Sequence, residues 1–220
     1  MLPTVEPARA SWTLLIPVKQ MAVAKSRLVG LTDRQRQDLA MAFAMDTITA
    51  ARACTDVTRL LVVTNHPDDT AFRDLGADIV ADVPGVGLNA ALVHGEHVVR
   101  RSQPRAAVAA LAGDLPALRP ADLGAAFSAA ADSRYWFVAD SAGTGTTLLA
   151  AAEGHRLNPA FGSQSRVAHR AGGAAEVTVG GIDRLRRDVD TAVDLREAVR
   201  LGVGVYTAKV LAGLVDGGLA

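Results

Sequence analysis

The chain has 220 residues, half of them hydrophobic, and its 23 Lys and Arg are balanced by 23 Asp and Glu. That length supports one well-buried core and favours one domain over two, and the apolar content excludes a disordered chain. Zero formal charge and an aromatic share of 4% exclude a global basic field or a stacking platform for nucleic acid. Cys54 is the single cysteine, so a disulfide framework and a multi-cysteine metal site are excluded, and a reducing compartment fits. Acidic Glu6 near the N-terminus, with no basic stretch leading into an apolar one, does not read as a signal peptide. No run of about 18 uninterrupted apolar residues occurs, so a transmembrane helix is not expected. The expectation is a cytoplasmic protein with no nucleic-acid and no membrane partner.

In chain order, "WTLLIP" (12 to 17) reads as a first strand, and Thr32 with Gln35 forms a capping pair for a helix. That helix turns Met41, Met45 and Ile48 inward at helical spacing. "RLLVVT" (59 to 64) is a second buried strand, ended by the turn-rich "NHPDD". "ADIVAD" (77 to 82) is a short third, followed by the loop "VPGVG" and a helix from Leu88. "AAVAALAGD" (106 to 114) has a helical composition, but its length and its place after a helical segment make it a central parallel strand. An alanine-rich helix at 124 to 131 precedes "YWFVAD" (135 to 140) and "TTLLAAA" (146 to 152), close enough to pair antiparallel. "AEVTV" and "LRRDVDT" follow as further extended segments, and a helix beginning near Thr191 closes the core. This alternation predicts an α/β fold: a single-domain, three-layer Rossmann-like sandwich with a mixed, mostly parallel sheet. The domain is expected to span 1 to 220, with its core over about 12 to 204 and a helical tail over 205 to 220.

Ligands of open α/β sheets gather outside the carboxyl ends of parallel strands, which is where Asp114 falls, after Gly113 and before Pro116. Gly113 lets the backbone pass close to a ligand; the alternative is an Asp that caps a helix or a turn. Asp188 and Asp190, two apart in "RRDVDT", share one face of an extended strand, with Val189 pointing inward. Two aligned carboxylates repel unless a cation lies between them, which makes a magnesium site reasonable. The alternative is that Asp190 caps the next helix and Asp188 pairs with Arg186 or Arg187. Lys19, Lys25 and Arg27 make the loop after the first strand cationic, suited to a polyphosphate or simply solvated. "GTGTT" (143 to 147) and "FGSQS" (161 to 165) could form an anion nest or two ordinary turns.

Other chemistries lack support. The chain has neither G-x-G-x-x-G nor G-x-x-x-x-G-K-[ST] after its first strand, against a dinucleotide dehydrogenase or a P-loop NTPase. Its five histidines show no H-E-x-x-H spacing. His169 lies near the hydroxyl-rich turn and could touch an anion, although an exposed helix face is expected, and Cys54 reads as a small core residue.

A cationic first loop, an Asp ending a central strand and a later Asp pair are the parts of metal-dependent nucleotidyl transfer. Together "IPVKQMAVAKSRL", "GLNAAL", "GDLPAL", "GTGT", "FGSQS" and "DVDT" resemble the phospholactate and phosphoenolpyruvate guanylyltransferases of coenzyme F420 biosynthesis. These are nucleotidyltransferases with a glycosyltransferase-A-like fold, and the resemblance runs from about residue 12 to about 204. It implies magnesium on Asp114, Asp188 and Asp190, and the acid's carboxylate end at Thr146, Gly162 and Ser165, with Thr147 an alternative to Thr146. It also implies GTP phosphates near Lys19, Lys25 and Arg27, the nucleotide near Asn89, and catalysis by Asp114, Lys25 and Arg27.

The activity so implied is transfer of GMP from GTP to the phosphate of phosphoenolpyruvate, or of 2-phospho-L-lactate, with release of pyrophosphate. The alanine- and arginine-rich composition is reminiscent of actinobacterial proteins, the branch associated with phosphoenolpyruvate. A downstream deazaflavin transferase is the implied functional partner, and a homodimer stays open. Rival readings are a nucleotidyltransferase for molybdopterin or a sugar phosphate, and a nucleotide-binding module without catalysis.

Overall fold

The computed structural model describes residues 11 to 18, 27 to 66 and 69 to 216. Seven strands form one sheet: β1 (Trp12–Val18), β2 (Val57–Thr64), β3 (Asp78–Ala81), β4 (Ala107–Leu111), β5 (Tyr135–Ala139), β6 (Thr146–Ala151) and β7 (Ala175–Glu176). Their spatial order is β3-β2-β1-β4-β6-β5-β7. β1 to β4 run parallel, β6 pairs antiparallel with both β4 and β5, and β7 is parallel to β5. The sheet is therefore mixed and mostly parallel, as the alternation of elements predicts, with "AAVAAL" a strand at its centre.

Alternate residues of each central strand serve two cores. Leu14, Ile16, Ala109 and Leu111 pack with Ala44, Ile48, Leu123 and Phe127 on one face. Leu15, Val108 and Ala110 pack with Leu92 and Val99 on the other. Helices α1 (Asp33–Arg52), α2 (Thr70–Asp74) and α4 (Pro120–Ala129) cover the first face, and α3 (Leu88–Ser102) covers the second. Because both faces are covered, the strands read as continuous apolar runs. The Thr32 hydroxyl and the Gln35 side chain form the expected capping box of α1. Met41 and Met45 lie half-buried against the core beside Ile48, and Cys54 is a buried core residue.

Trp12 stacks on Phe127 at 5.0 Å, and Trp136 meets the two rings edge-on at 5.8 and 5.7 Å. Trp12 and Trp136 stand at the starts of β1 and β5. The bulky aromatics thus close the amino end of the parallel strands, leaving the carboxyl end for polar side chains.

Three more helices complete the chain: α5 (Ser165–Ala171), α6 (Ala192–Leu201) and α7 (Val205–Asp216). The first turn of α7 is fastened to α1 by Asp46, whose carboxylate accepts the amides of Tyr206 and Thr207 at 3.1 and 2.9 Å. Any side chain at Gly204 would collide with that carboxylate. Two extended segments differ from expectation. "AEVTV" pairs only through Ala175–Glu176, and residues 182 to 190 form turns and coil rather than a strand. Among the described residues no single helix is long and apolar enough to cross a membrane.

Candidate active site

Chain order reverses between β1 and β4: successive strands go one way from β1 to β3, then cross to its other side. A crevice opens beyond the carboxyl ends of strands at such a switch point. A cavity of about 650 Å³ lies there, lined by Pro17 and Arg27 after β1, Asp114 after β4, Asp140 after β5, and Thr146 at the start of β6. β6 runs antiparallel, so its first residue reaches the same sheet edge as the last residues of its neighbours.

Within the cavity, carboxylates gather. The segment with Asp188 and Asp190 is held by backbone bonds at both flanks. The Val189 amide donates to the Asp114 carbonyl at 3.1 Å, and the Ser141 amide donates to the Arg186 carbonyl at 2.7 Å. The Arg186 guanidinium donates to the carbonyls of Ala139 and Asp140 at 3.1 and 3.0 Å. Val189 is fully buried among Leu28, Phe43 and Ala198. The two-residue alternation survives although the segment is coil, because Val189 is an anchor and its neighbours face the opposite way.

Burial, and then the charges of Asp114, Asp190 and Asp140, push the Asp188 carboxyl up to about 7. A divalent cation is the species that would relieve this repulsion, and hard carboxylate oxygens are the donors it prefers. Among the described residues no three acidic, His or Cys side chains converge as a ready-made metal cage. Magnesium does not require one, since it commonly uses one or two carboxylates, waters and substrate phosphates.

Neither Asp190 nor Asp114 is the N-cap of a helix. Thr191 caps α6 through a capping box with Asp194, α4 begins after Arg119, and Arg187 faces Asp194 at 3.4 Å. Gly113 is also required by its protein neighbours. A Cβ there would stand 3.1 Å from the Pro17 carbonyl and 3.3 Å from Ile16, so the glycine lets β4 leave the sheet beside β1.

The same cavity is also lined by neutral donors. Thr146, Gly162 and Ser165 line it together, whereas Thr147 points into the core. The turn before Thr146 is tied by Asp140, whose carboxylate accepts the Thr144 amide at 2.9 Å. A Cβ on Gly145 would lie 2.5 Å from that carboxylate, which accounts for the second glycine of "GTGT". His169 is buried rather than exposed, a correction to the expectation from its helix. It is four residues after Ser165 and shares its inward face. The His169 Nδ1 lies 2.9 Å from the Thr146 hydroxyl, and its Nε2 accepts the Ala160 amide at 3.0 Å. Phe161 packs edge-on against the ring at 5.1 Å. Burial drops the His169 imidazole to about 4, so it is neutral near pH 7.

Asn89 is committed to the cavity wall: its side chain accepts the Phe161 amide at 2.8 Å and donates to the Phe161 carbonyl at 3.0 Å. It thereby joins the start of α3 to the "FGSQS" loop. Arg27 lines the cavity, while Lys19 and Lys25 lie outside the described residues. Asp140 is given no candidate role from the sequence, and for His169 an exposed helix position is favoured. Asp140 ends the strand run "YWFVAD" just as Asp114 ends "AVAALAGD", so the same argument applied once more would have found it.

The guanylyl transferase CofC-like family model matches residues 12 to 215. The chain belongs to that family. A relative from Streptomyces coelicolor, a phosphoenolpyruvate guanylyltransferase, is 53% identical over 94% of this chain and 99% of its own length. Among solved structures, 4-diphosphocytidyl-2C-methyl-D-erythritol synthase shares 12% identity, with a TM-score of 0.59 over 88% of this chain and 99% of its own. Rv0371c from Mycobacterium tuberculosis H37Rv, solved with manganese, shares 19% identity with a TM-score of 0.50 over 87% and 98%. The CofC-like chain thus has the mixed α/β architecture of nucleotide-diphospho-sugar transferases and related enzymes, as its element pattern predicts.

Proposed function

We propose that the chain transfers GMP from GTP to the phosphate of phosphoenolpyruvate, giving enolpyruvyl-diphosphoguanosine and pyrophosphate for coenzyme F420 biosynthesis. The observation that carries the reading is that one cavity is lined both by carboxylates (Asp114, Asp188, Asp190) and by neutral hydroxyl and amide groups (Thr146, Gly162, Ser165). The choice of acid is supported by the substrate named for the Streptomyces relative.

In this reading, Thr146, Gly162 and Ser165 hold the carboxylate end of the acid so that its phosphate faces the α-phosphorus of GTP. An acid phosphate oxygen forms the new P–O bond, the bond from the α-phosphorus to the bridging oxygen breaks, and that oxygen leaves with pyrophosphate. No protein nucleophile is needed, and positioning with charge neutralisation supplies the acceleration. Asp114, Asp188 and Asp190 would hold a divalent cation, with magnesium the first choice. When bound, it offsets charge on the α-phosphate and the leaving pyrophosphate. Arg27, Lys19 and Lys25 are assigned to the GTP phosphates and Asn89 to the wall beside the nucleotide. Residues 1 to 220 act as one nucleotidyltransferase domain in the cytoplasm, and the labile product passes to a downstream deazaflavin transferase.

The test is pyrophosphate release from GTP and magnesium with phosphoenolpyruvate or, separately, 2-phospho-L-lactate, with the deazaflavin transferase present to draw off product. Turnover with phosphoenolpyruvate is expected. Turnover only with 2-phospho-L-lactate changes the acid and keeps the reaction; silence with both overturns the proposal.

A further inference from the structure

His169 is the buried titratable group that the reaction just described leaves unused, and its two hydrogen bonds fix more than its position. The Ala160 backbone N–H can only donate, so the Nε2 it meets at 3.0 Å must be the ring's acceptor nitrogen. A neutral imidazole then carries its proton on Nδ1, the nitrogen 2.9 Å from the Thr146 hydroxyl. That hydroxyl is consequently an acceptor toward the histidine. Its own proton is directed elsewhere, and Thr146 lines the cavity. We propose that His169 is a positioning residue which, through its Nδ1–H tautomer, sets the Thr146 hydroxyl as a donor into the cavity and so favours an acceptor oxygen, such as that of an ionised carboxylate, at that point.

The inference rests on the acid-binding reading of Thr146. Its chemical content is a polarity: had Nε2 carried the proton, it would confront the Ala160 N–H, and Thr146 would have to spend its proton on Nδ1. Phe137 and Phe161 flank the ring at 5.9 and 5.1 Å and keep it dry, so water does not scramble the arrangement. A ligand presenting a donor-only group there, such as an ammonium, would leave the threonine proton without a partner. Such mismatches of buried donors discriminate strongly.

The tautomer is read directly on the wild-type protein by two-bond proton–nitrogen correlation NMR of imidazole-labelled histidine at neutral pH, with His169→Gln used to assign the signal. The pattern of an Nδ1–H neutral ring is expected; an Nε2–H or doubly protonated ring overturns the proposal whatever the activity. Steady-state kinetics then separates positioning from structure. His169→Phe should raise KM for the acid about tenfold or more, with KM for GTP unchanged and kcat at saturating acid within a few-fold. His169→Gln, whose amide can donate to Thr146 and accept from Ala160, should restore most of that loss. Combining His169→Phe with Thr146→Val should add little to Thr146→Val alone, because both act through one hydroxyl. An unchanged acid KM in His169→Phe, or full additivity in the double variant, overturns the proposal. Silence of the wild type with both acids would instead remove the substrate reading, and the tautomer measurement would still decide the state of His169.

Discussion

The two sides of the cavity are prepared for their ligands in opposite ways. On the Thr146 side, His169, Ala160, Asn89 and Phe161 satisfy one another's hydrogen bonds before anything binds. On the Asp188 side, burial and then the charges of Asp114, Asp190 and Asp140 raise the proton affinity of Asp188, and the repulsion is relieved by a proton or a cation. Neutral recognition can be built into a fold at little cost, whereas a set of like charges stays poised until its counter-charge arrives.

The sharpest way to break this comparison is to remove a carboxylate. Asp188→Asn and Asp114→Ala should each lower turnover by about a thousandfold or more while the fold is kept, since charge stabilisation of the leaving pyrophosphate is removed. Asp188→Asn should also melt no lower than the wild type in chelator, because repulsion is relieved. Near-normal pyrophosphate release at saturating magnesium would take that residue out of the metal site.

Next in size is the neutral side. Thr146→Val should raise KM for the acid by roughly 10- to 100-fold, the range expected for a lost hydrogen bond to a charged group, and leave GTP affinity alone. Ser165→Ala should behave likewise with a smaller change. Equal effects on both substrates would mean that the two sets of groups do not serve separate substrates.

The two sides also titrate with opposite sign. The His169 pKa falls from 6.5 to about 4 on folding, so the unfolded chain holds more protons in between. Stability from this group is complete above 6.5 and is lost as pH drops toward 4, by up to about 3 kcal/mol. Asp188 rises from 3.8 to about 7, so its contribution is present below 3.8 and is lost as pH climbs toward 7. Chemical denaturation in chelator should therefore show a shallow wild-type profile between pH 4 and 6.5. It should steepen upward with pH in Asp188→Asn and reverse slope in His169→Gln. Parallel profiles in all three proteins would contradict the assigned protonation states.

The smallest effect is expected at Asn89. Asn89→Ala leaves the Phe161 amide and carbonyl to find other partners, for a loss of about 1–2 kcal/mol in stability and a several-fold rise in acid KM. Thermal melting and titration with acid and GTP check it, and a change confined to GTP affinity would mean that Asn89 serves only the nucleotide beside it and does not brace the acid site.

Much of this arrangement is legible in the chain. Apolar runs punctuated by Gly, Asp and Pro mark the parallel strands, and Asp114 stands out because it ends one of them. Asp188 and Asp190 declare themselves by a spacing that works in coil as well as strand, once Val189 is anchored. What escaped was tertiary. His169 looks like a surface residue until Phe161 and Ala160 close over it, and Asn89 has no local mark of its bond to a backbone 72 residues away. Gly113 is singled out by the sequence, but its closest protein neighbour is not, since only the assembled sheet brings the Pro17 carbonyl beside it.

The most direct test of the account is phosphorus NMR of the enzyme with GTP, phosphoenolpyruvate and magnesium. The account predicts pyrophosphate together with two coupled signals of an unsymmetrical diphosphate that joins guanosine to the acid. Release of GDP and inorganic phosphate, or no change while GTP is bound, would contradict it.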